Sequence, residues 1–231
     1  MRYIGIIPAR AGSKSLIKKN IIKLGGQPLI THTFDAALSS NRLDSIVVTT
    51  DDEDVVALAL EYNISIPFRR PNELARDDTP MIEVMQHVLS ELEDASTSEL
   101  ALVLLQPTSP FRSARHIDEA IDLFEVQRAQ CVVSVCEIPH TCHPDSVLKM
   151  YSGSGLMPYS GMWTQPTTRQ AVEPLYARNG PAVLVASASR IKGGYFYGDQ
   201  TFGYLMDQQS SIDINNELDL KLALATMKTD A

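Results

Sequence analysis

Residues 3–8, Tyr3-Ile-Gly-Ile-Ile-Pro8, form a short apolar run that leads directly into a basic loop, Ala9-Arg-Ala-Gly-Ser-Lys-Ser-Leu-Ile-Lys-Lys-Asn20. An apolar run of this length predicts a buried strand. The first 34 residues contain six lysines or arginines and no acidic residue, whereas the whole chain of 231 residues carries a net charge of −8. Positive charge concentrated on one loop of an acidic protein predicts an anionic ligand there. A solvated basic loop without a ligand stays open as the alternative on charge alone.

Further apolar runs alternate with longer amphipathic segments along the chain. We expect strands at 4–8, 45–50, 100–105 and 131–135, and helices at 29–38, 54–62 and 114–127. This alternation is typical of an α/β fold in which helices flank a mostly parallel sheet. Ligands of such sheets bind at the carboxyl ends of the strands. Polar, turn-forming residues follow three of the predicted strands, at Pro8-Ala-Arg10, Thr50-Asp-Asp52 and Gln106-Pro-Thr-Ser-Pro110.

The strand and helix pattern weakens after residue 138. Residues 139–174 hold five prolines and the only tryptophan, Trp163, which predicts an extended excursion rather than another strand–helix unit. We favour packing of this excursion on a partner subunit over a flexible lid. Regular structure resumes at 175–186, and a last helix is expected at 217–227 with Asn215 or Asn216 as its cap. The expected organisation is one domain, 1–231, with 139–174 as an inserted dimerisation element.

Composition limits the class of protein. A hydrophobic content of 44% and a length of 231 residues suit one well-packed core. The acidic balance argues against a nucleic-acid-binding protein, which needs a basic face. Three cysteines within twelve residues make no disulfide framework and suggest the cytoplasm. No apolar run approaches the roughly 18 residues of a membrane span, and the N-terminus lacks signal-peptide features.

The basic loop does not match a P-loop. That motif needs Lys directly after its second glycine, and here Ser13 separates Gly12 from Lys14. What remains is a strand-to-loop turn with small residues, through which the backbone can approach a ligand closely. Its basic side chains can meet anionic oxygens, although for Lys14 and Lys18 a role in solubility alone stays open.

Six segments together resemble the ordered motifs of the acylneuraminate cytidylyltransferases, the synthetases of CMP-sialic acid and of related sugars such as CMP-legionaminic acid. They span nearly the whole chain: Ile7-Pro-Ala-Arg-Ala-Gly-Ser-Lys14, Lys18-Lys-Asn20, Arg69-Arg-Pro-Asn-Glu-Leu-Ala75, Leu105-Gln-Pro-Thr-Ser-Pro110, Ala177-Arg-Asn-Gly180 and Ser211-Ile-Asp-Ile-Asn-Asn-Glu-Leu-Asp219. The resemblance implies a Rossmann-like sheet of the nucleotide-diphospho-sugar transferase type and a homodimer.

The resemblance also implies a reaction. The anomeric hydroxyl of a nine-carbon α-keto acid sugar, such as N-acetylneuraminate or legionaminate, attacks the α-phosphate of CTP and releases pyrophosphate, with Mg²⁺ or Mn²⁺ as cofactor. Cations suit this chemistry because charge on the phosphate oxygens must be stabilised. The alternatives are a CMP-Kdo synthetase, acting on an eight-carbon acid, and a catalytically impaired protein that only binds nucleotide sugars.

The matching positions carry the family's roles. Catalysis is assigned to Arg10, Lys19 and Asp213. CTP binding is assigned to Arg10, Gly12, Ser13, Lys19, Asn20 and Arg70. Sugar binding is assigned to Gln106, Arg169, Tyr176, Asn179 and Gly180. The metal is assigned to Asp213 and Asn215.

The metal motif departs from the family pattern. Relatives commonly show Asp-x-Asp where this chain has Asp213-Ile-Asn215. Alternate residues of an extended segment face the same side, so both can reach one cation, but Asn lacks the negative charge. We therefore expect a weaker or more nucleotide-dependent metal site, with Glu217 and Asp219 as either reserve ligands or helix-start acids.

For several other polar residues a structural role competes with a functional one. Tyr176 could be ordinary core packing. The hydroxyl and carboxyl side chains of Thr108, Ser109, Asp51 and Asp52 could cap turns and helices. A zinc site at His140, Cys142 and His143 is disfavoured because no fourth ligand stands at a recognisable spacing.

Overall fold

The computed structural model describes residues 1–12, 16–92, 99–163 and 173–229. The strands are β1 (Arg2–Ala9), β2 (Lys23–Leu24), β3 (Gln27–Pro28), β4 (Ser45–Thr50), β5 (Leu100–Leu104), β6 (Cys131–Glu137), β7 (Leu148–Tyr151), β8 (Gly155–Pro158), β9 (Tyr176–Arg178), β10 (Leu184–Ser187) and β11 (Thr201–Leu205). The helices are α1 (Leu29–Leu38), α2 (Glu53–Glu61), α3 (Met81–Glu91), α4 (Ala114–Val126), α5 (Ala188–Lys192) and α6 (Glu217–Thr229).

Seven strands form the central sheet, in the order β11-β6-β10-β5-β1-β4, with β9 added to β6. Strand β1 pairs in parallel with β4 and β5, and β11 pairs in parallel with β6, whereas β9 and β10 run antiparallel to their neighbours. This confirms the predicted α/β class with a mostly parallel sheet. Because Ala9 pairs with Thr50 and Ile6 with Leu104, the carboxyl ends of β1, β4 and β5 lie at one edge.

Helices cover both faces of the sheet, which explains why the central strands are apolar at nearly every position. On one face, side chains of α1, α2 and α4, such as Phe34 and Ile121, pack on Ile7. On the other face, side chains of α3 and α5, such as Met85, pack on Ile6. Alternate residues of β1 thus enter opposite layers, as a strand requires. Strand β1 is therefore packed on both of its faces.

The excursion predicted at 139–174 contains a two-stranded hairpin of β7 and β8, which is separate from the central sheet. Its apolar side chains are exposed, among them Leu148, Met150 and Leu156. Nothing in the described residues tests whether a second subunit covers them, so dimerisation stays a prediction. No helix in the described ranges is both long and apolar enough to cross a membrane.

Candidate active site

A cleft of about 290 Å³ opens at the carboxyl edge of the sheet, where β1, β4 and β5 end. Its walls come from the first loop, the segment between α2 and α3 with the first residue of α3, and the segment after β5. The lining residues are Pro8, Arg10, Gly12, Lys19, Asn20, Arg70, Asp77, Met81, Gln106, Pro107 and Thr108. Six of the predicted site residues are therefore brought together at the edge that the sequence predicted.

Contacts to neighbouring elements hold the first loop in shape. Asn20 Nδ2 donates to the Arg10 carbonyl oxygen at 3.0 Å, which joins the two ends of the loop. The Ala11 backbone N–H donates to Asp51 Oδ1 at 2.9 Å, which ties the loop to the end of β4. The Arg10 guanidinium forms an ion pair with Asp77. Arg10 therefore lies in the cleft with its guanidinium paired to a carboxylate, and its role with phosphates stays a prediction.

Lys19 lies between this loop and the segment that precedes α6. Its Nζ donates to the Ile214 carbonyl oxygen at 3.3 Å. The pKa of Lys19 is lowered overall. Burial is the largest cause, the carboxylate of Asp213 opposes it, and the positive charge of Arg10 lowers the pKa further. Two cations and one carboxylate thus act on one another, as expected of a site that binds a highly charged anion.

Arg70 forms the floor of the cleft and is only 5% exposed. Its Nη2 donates to the Thr49 carbonyl oxygen at 2.7 Å and its Nε donates to Thr49 Oγ1 at 3.3 Å. Burial lowers its pKa to about 10, while nearby Asp51 opposes the shift. The preceding Arg69 points away and pairs with Glu53 at the surface. Of the two adjacent arginines, the structure places the predicted one, Arg70, in the cleft.

Gln106 stands at the end of β5 and reaches the opposite wall, where its Nε2 donates to the Gly180 carbonyl oxygen at 3.3 Å. Buried Arg112 supports both walls, because its Nη1 donates to the carbonyl oxygens of Gln106 at 3.0 Å and Ala182 at 2.8 Å. Its Nη2 contacts Thr33 Oγ1 at 2.5 Å, and burial lowers its pKa to about 9. Sequence reasoning missed Arg112, since one basic residue in a polar turn gives no sign of burial.

Asn179 lies beneath the cleft with its amide fully engaged. Its Oδ1 accepts from Ser134 Oγ at 2.6 Å and from the Ala182 N–H at 3.3 Å, and its Nδ2 donates to Ser211 Oγ at 2.8 Å. The following Gly180 has φ +123, a conformation that favours glycine. In this structure Asn179 therefore supports the turn at Gly180, and its predicted contact with the sugar stays a prediction.

Asp213 is partly buried, and its two carboxylate oxygens differ. Oδ2 accepts from Asn215 Nδ2 at 2.7 Å, whereas Oδ1 is buried and has no hydrogen-bond partner among the described residues. A bare carboxylate oxygen fits the hard cation that the resemblance implies. Asp219 Oδ2 instead accepts from the backbone N–H groups of Asn215 and Asn216, and Asn216 Oδ1 accepts from the Asp219 N–H. Asp219 is thus engaged at the start of α6.

Other predicted positions lie apart from the cleft. Tyr176 is exposed on β9 and is not among the residues that line the cleft. Asp52 caps α2 by accepting from the Asp54 N–H at 3.0 Å. In the part of the chain that the structure describes, no group of three or more His, Cys, Asp or Glu side chains is placed to hold a metal. The predictions for Ser13, Lys14 and Arg169 fall outside the described residues.

Comparisons with known proteins give the chain clear relatives. A family model described as cytidylyltransferase matches residues 4–211. The chain is 34% identical over 235 residues to a CMP-N,N′-diacetyllegionaminic acid synthase of Legionella pneumophila, covering 99% of this chain and 97% of the relative. It is also 34% identical over 224 residues to an N-acylneuraminate cytidylyltransferase of Escherichia coli O18:K1:H7, covering 96% of this chain.

The match to the Escherichia coli protein covers only 51% of that relative, so the chain spans about half its length. Among solved structures, a CMP:2-keto-3-deoxy-manno-octonic acid synthetase in complex with CTP matches with a TM-score of 0.73, 14% identity and full coverage of both chains. At that identity the structural match supports the fold alone.

Proposed function

The chain belongs to the cytidylyltransferase family, and from this premise we propose that it transfers the CMP group of CTP to a nonulosonic acid and releases pyrophosphate. The relatives from Legionella pneumophila and Escherichia coli are named for legionaminic and acylneuraminic acids, which supports a nine-carbon α-keto acid as the sugar. The single observation that carries the proposal is the cleft lined by Arg10, Lys19 and Arg70 in a protein of net charge −8.

The cations have distinct tasks in this proposal. Arg10 and Lys19, on the first loop, bind the triphosphate and balance the charge that develops on its oxygens as the leaving group departs. Arg10 exchanges its ion pair with Asp77 for one with phosphate. Arg70 is held rigidly by Thr49 and contacts the cytosine base. Each task uses a side chain that the fold already holds at the cleft.

The sugar occupies the end of the cleft at Gln106 and Gly180, where amide and carbonyl groups suit its hydroxyls and carboxylate. Asp213 would hold the divalent cation, since its Oδ1 has no hydrogen-bond partner among the described residues. When bound, Mg²⁺ or Mn²⁺ supplies positive charge that neutralises phosphate oxygens. The sugar hydroxyl therefore approaches the α-phosphate in a site where protein cations already offset the anionic charge.

A substrate panel read by pyrophosphate release tests the proposal. N-acetylneuraminate, N,N′-diacetyllegionaminate and Kdo are each supplied with CTP and Mg²⁺, and we expect turnover with a nine-carbon acid. Arg10→Ala is expected to lower kcat/KM by about 100-fold or more, because one charge-stabilising donor is lost. Arg69→Ala is the matched control, since Arg69 pairs with Glu53 outside the cleft. Tight CTP binding without turnover on any of these acids would remove the enzymatic proposal.

A further inference from the structure

Two buried oxygens near the candidate active site have no hydrogen-bond partner among the described residues. One is Asp213 Oδ1, and the other is Ser109 Oγ, on the segment that follows β5. Ser109 is 0% exposed, so solvent does not satisfy its hydroxyl. Buried polar groups are nearly always paired, and an orphaned one calls for an explanation. One explanation can cover both oxygens, because both residues adjoin Gly180.

Gly180 lies next to both the Ser109 hydroxyl and the Asp213 carboxyl group. A Cβ added to Gly180 would lie 3.1 Å from Ser109 Oγ and 3.5 Å from Asp213 Cγ. The absence of a side chain at this position therefore keeps open a cradle between the hydroxyl and the carboxylate. The backbone holds this arrangement, because the Ile214 N–H donates to the Thr108 carbonyl oxygen at 2.8 Å and so fixes the Ser109 segment beside Asp213.

The chemistry of the cradle suits a hard divalent cation. It offers one anionic oxygen and one neutral hydroxyl oxygen, the donor types that Mg²⁺ and Mn²⁺ prefer. Asn215 Nδ2 occupies Asp213 Oδ2, which leaves Oδ1 as the carboxylate atom available to a cation. Protein sites for Mg²⁺ commonly supply only one or two ligands and leave the rest to water and substrate phosphates. Two oxygens beside a triphosphate cleft meet that description.

We propose that the hydroxyl of Ser109 is a second protein ligand, with Asp213 Oδ1, of the divalent cation that accompanies CTP. This inference rests on the proposed function for the presence of that cation. It assigns a metal-binding role to Ser109, whose sequence context also suits a turn cap. It further explains how the site operates with Asn215, since a hydroxyl oxygen adds a ligand where the chain lacks a second carboxylate.

Metal binding is measured directly by titrating Mn²⁺ into the protein with CTP present, with free Mn²⁺ followed by electron paramagnetic resonance. We expect Ser109→Ala to weaken Mn²⁺ binding at least tenfold, and Asp213→Asn to weaken it further. Ser187→Ala is the matched control, because Ser187 is also buried but lies on β10 and bonds to Gln130. Circular dichroism checks that each variant is folded.

Ser109→Cys distinguishes a direct metal ligand from a residue that only supports Asp213. It also serves as a second variant if Ser109→Ala does not fold, because cysteine keeps the side-chain volume nearly unchanged. The Ser109→Cys protein, with a thiolate ligand, is expected to bind Cd²⁺ more tightly than the wild type does. An ultraviolet absorption band from the sulfur–cadmium bond should accompany the binding. Two results would overturn this inference and leave the proposed function standing. One is the absence of that band, and the other is an unchanged Mn²⁺ affinity in Ser109→Ala while Asp213→Asn loses binding. Unchanged affinity in both variants overturns the cation role of Asp213 in the proposed function as well.

Discussion

Asn215 stands where the resemblance implies an acidic residue, and the structure shows which contact its side chain makes. Its Nδ2 donates to Asp213 Oδ2 at 2.7 Å, so the amide orients the carboxylate rather than adding a charge. In Asn215→Asp two carboxylates would repel each other until a cation neutralises them. We expect this variant to bind Mn²⁺ about tenfold more tightly without CTP, since an added charge at contact distance is worth on the order of 1–4 kcal/mol.

The measurement for Asn215 is a Mn²⁺ titration without nucleotide, followed by one with CTP. The gain is expected to shrink when CTP is present, because the phosphates then supply negative charge of their own. Asn216→Asp is the matched control, as Asn216 uses its side chain to cap α6. Equal affinity and equal activity in Asn215→Asp and the wild type would contradict the predicted weakness of this metal site.

Lys19 should give the enzyme a distinct pH dependence. Burial and the charge of Arg10 lower the pKa of Lys19 from the ordinary 10.5, and Asp213 only partly opposes them. The charged form binds phosphate, so affinity is present below this pKa and is lost as pH rises through it. Since kcat/KM reports the free enzyme, kcat/KM for CTP is expected to fall on the alkaline side at a pH below 10.5.

Substitution by arginine identifies the group responsible for this alkaline fall. In Lys19→Arg the side chain stays protonated throughout the accessible range, so the fall is expected to move to higher pH. Lys18→Arg is the control, because Lys18 pairs with Asp54 at the surface, outside the cleft. A profile that is the same in Lys19→Arg and the wild type would show that another group titrates.

At the scale of elements, Arg112 joins the end of β5 to the turn before β10. It donates to Gln106 O, Ala182 O and Thr33 Oγ1 from a fully buried position. Arg112→Met leaves these acceptors without their donor, and we expect the free energy of unfolding to fall by about 2–3 kcal/mol. The KM for the sugar is expected to rise as well, because Gln106 and Gly180 lose their common support.

Urea unfolding and steady-state kinetics measure the two effects of Arg112→Met. Arg115→Ala is the matched control three residues further along the chain, on α4. Its ion pair with Glu119 is exposed, so the variant should change the unfolding free energy by less than about 0.5 kcal/mol. An Arg112→Met protein with unchanged urea midpoint and KM would contradict the role assigned to Arg112.

Local periodicity predicted several elements closely but not all of them. The expected helix at 29–38 matches α1 (Leu29–Leu38), and the helix expected at 114–127 ends one residue earlier in α4. Strand β11 was not predicted, because Thr201–Leu205 has an interior glycine and its partner β6 is distant in the chain. The helix α3 was also missed, although Val84, Met85, Val88 and Leu89 repeat at helical spacing.

The candidate site was likewise predicted only in part from the sequence. Motif positions predicted six of the residues that line the cleft, but not which contacts fix them. Asp77, which pairs with Arg10, comes from the segment after Arg70 and gave no signal of its own. The roles of Arg112 and of the Asn179 amide depend on burial and on partners far along the chain. Contacts between residues that are distant in the sequence cannot be predicted from the local residue pattern or from charge.

At the scale of the whole molecule, the hairpin of β7 and β8 presents an exposed apolar face. Met150 pairs with Leu156 and Leu148 with Pro158, so these side chains share one face, and Met150 is 73% exposed. Contiguous exposed apolar surface of this kind marks an interaction site. The opposite face also has exposed apolar side chains, Tyr151 and Met157, but it carries the charge of Lys149. We therefore propose that a second copy of the chain covers the Met150 face.

Charge placed on that face tests the proposal. We expect the wild type to have the mass of a dimer by light scattering or sedimentation, and Met150→Glu combined with Leu156→Glu to give a monomer. Burying two carboxylates in an apolar interface is costly, and the double variant would carry four in a symmetric dimer. Lys149→Glu changes charge on the opposite face and should keep the dimer. A monomeric wild type, or a dimer that survives the double substitution, would remove this hairpin from the interface and leave its apolar face to another partner.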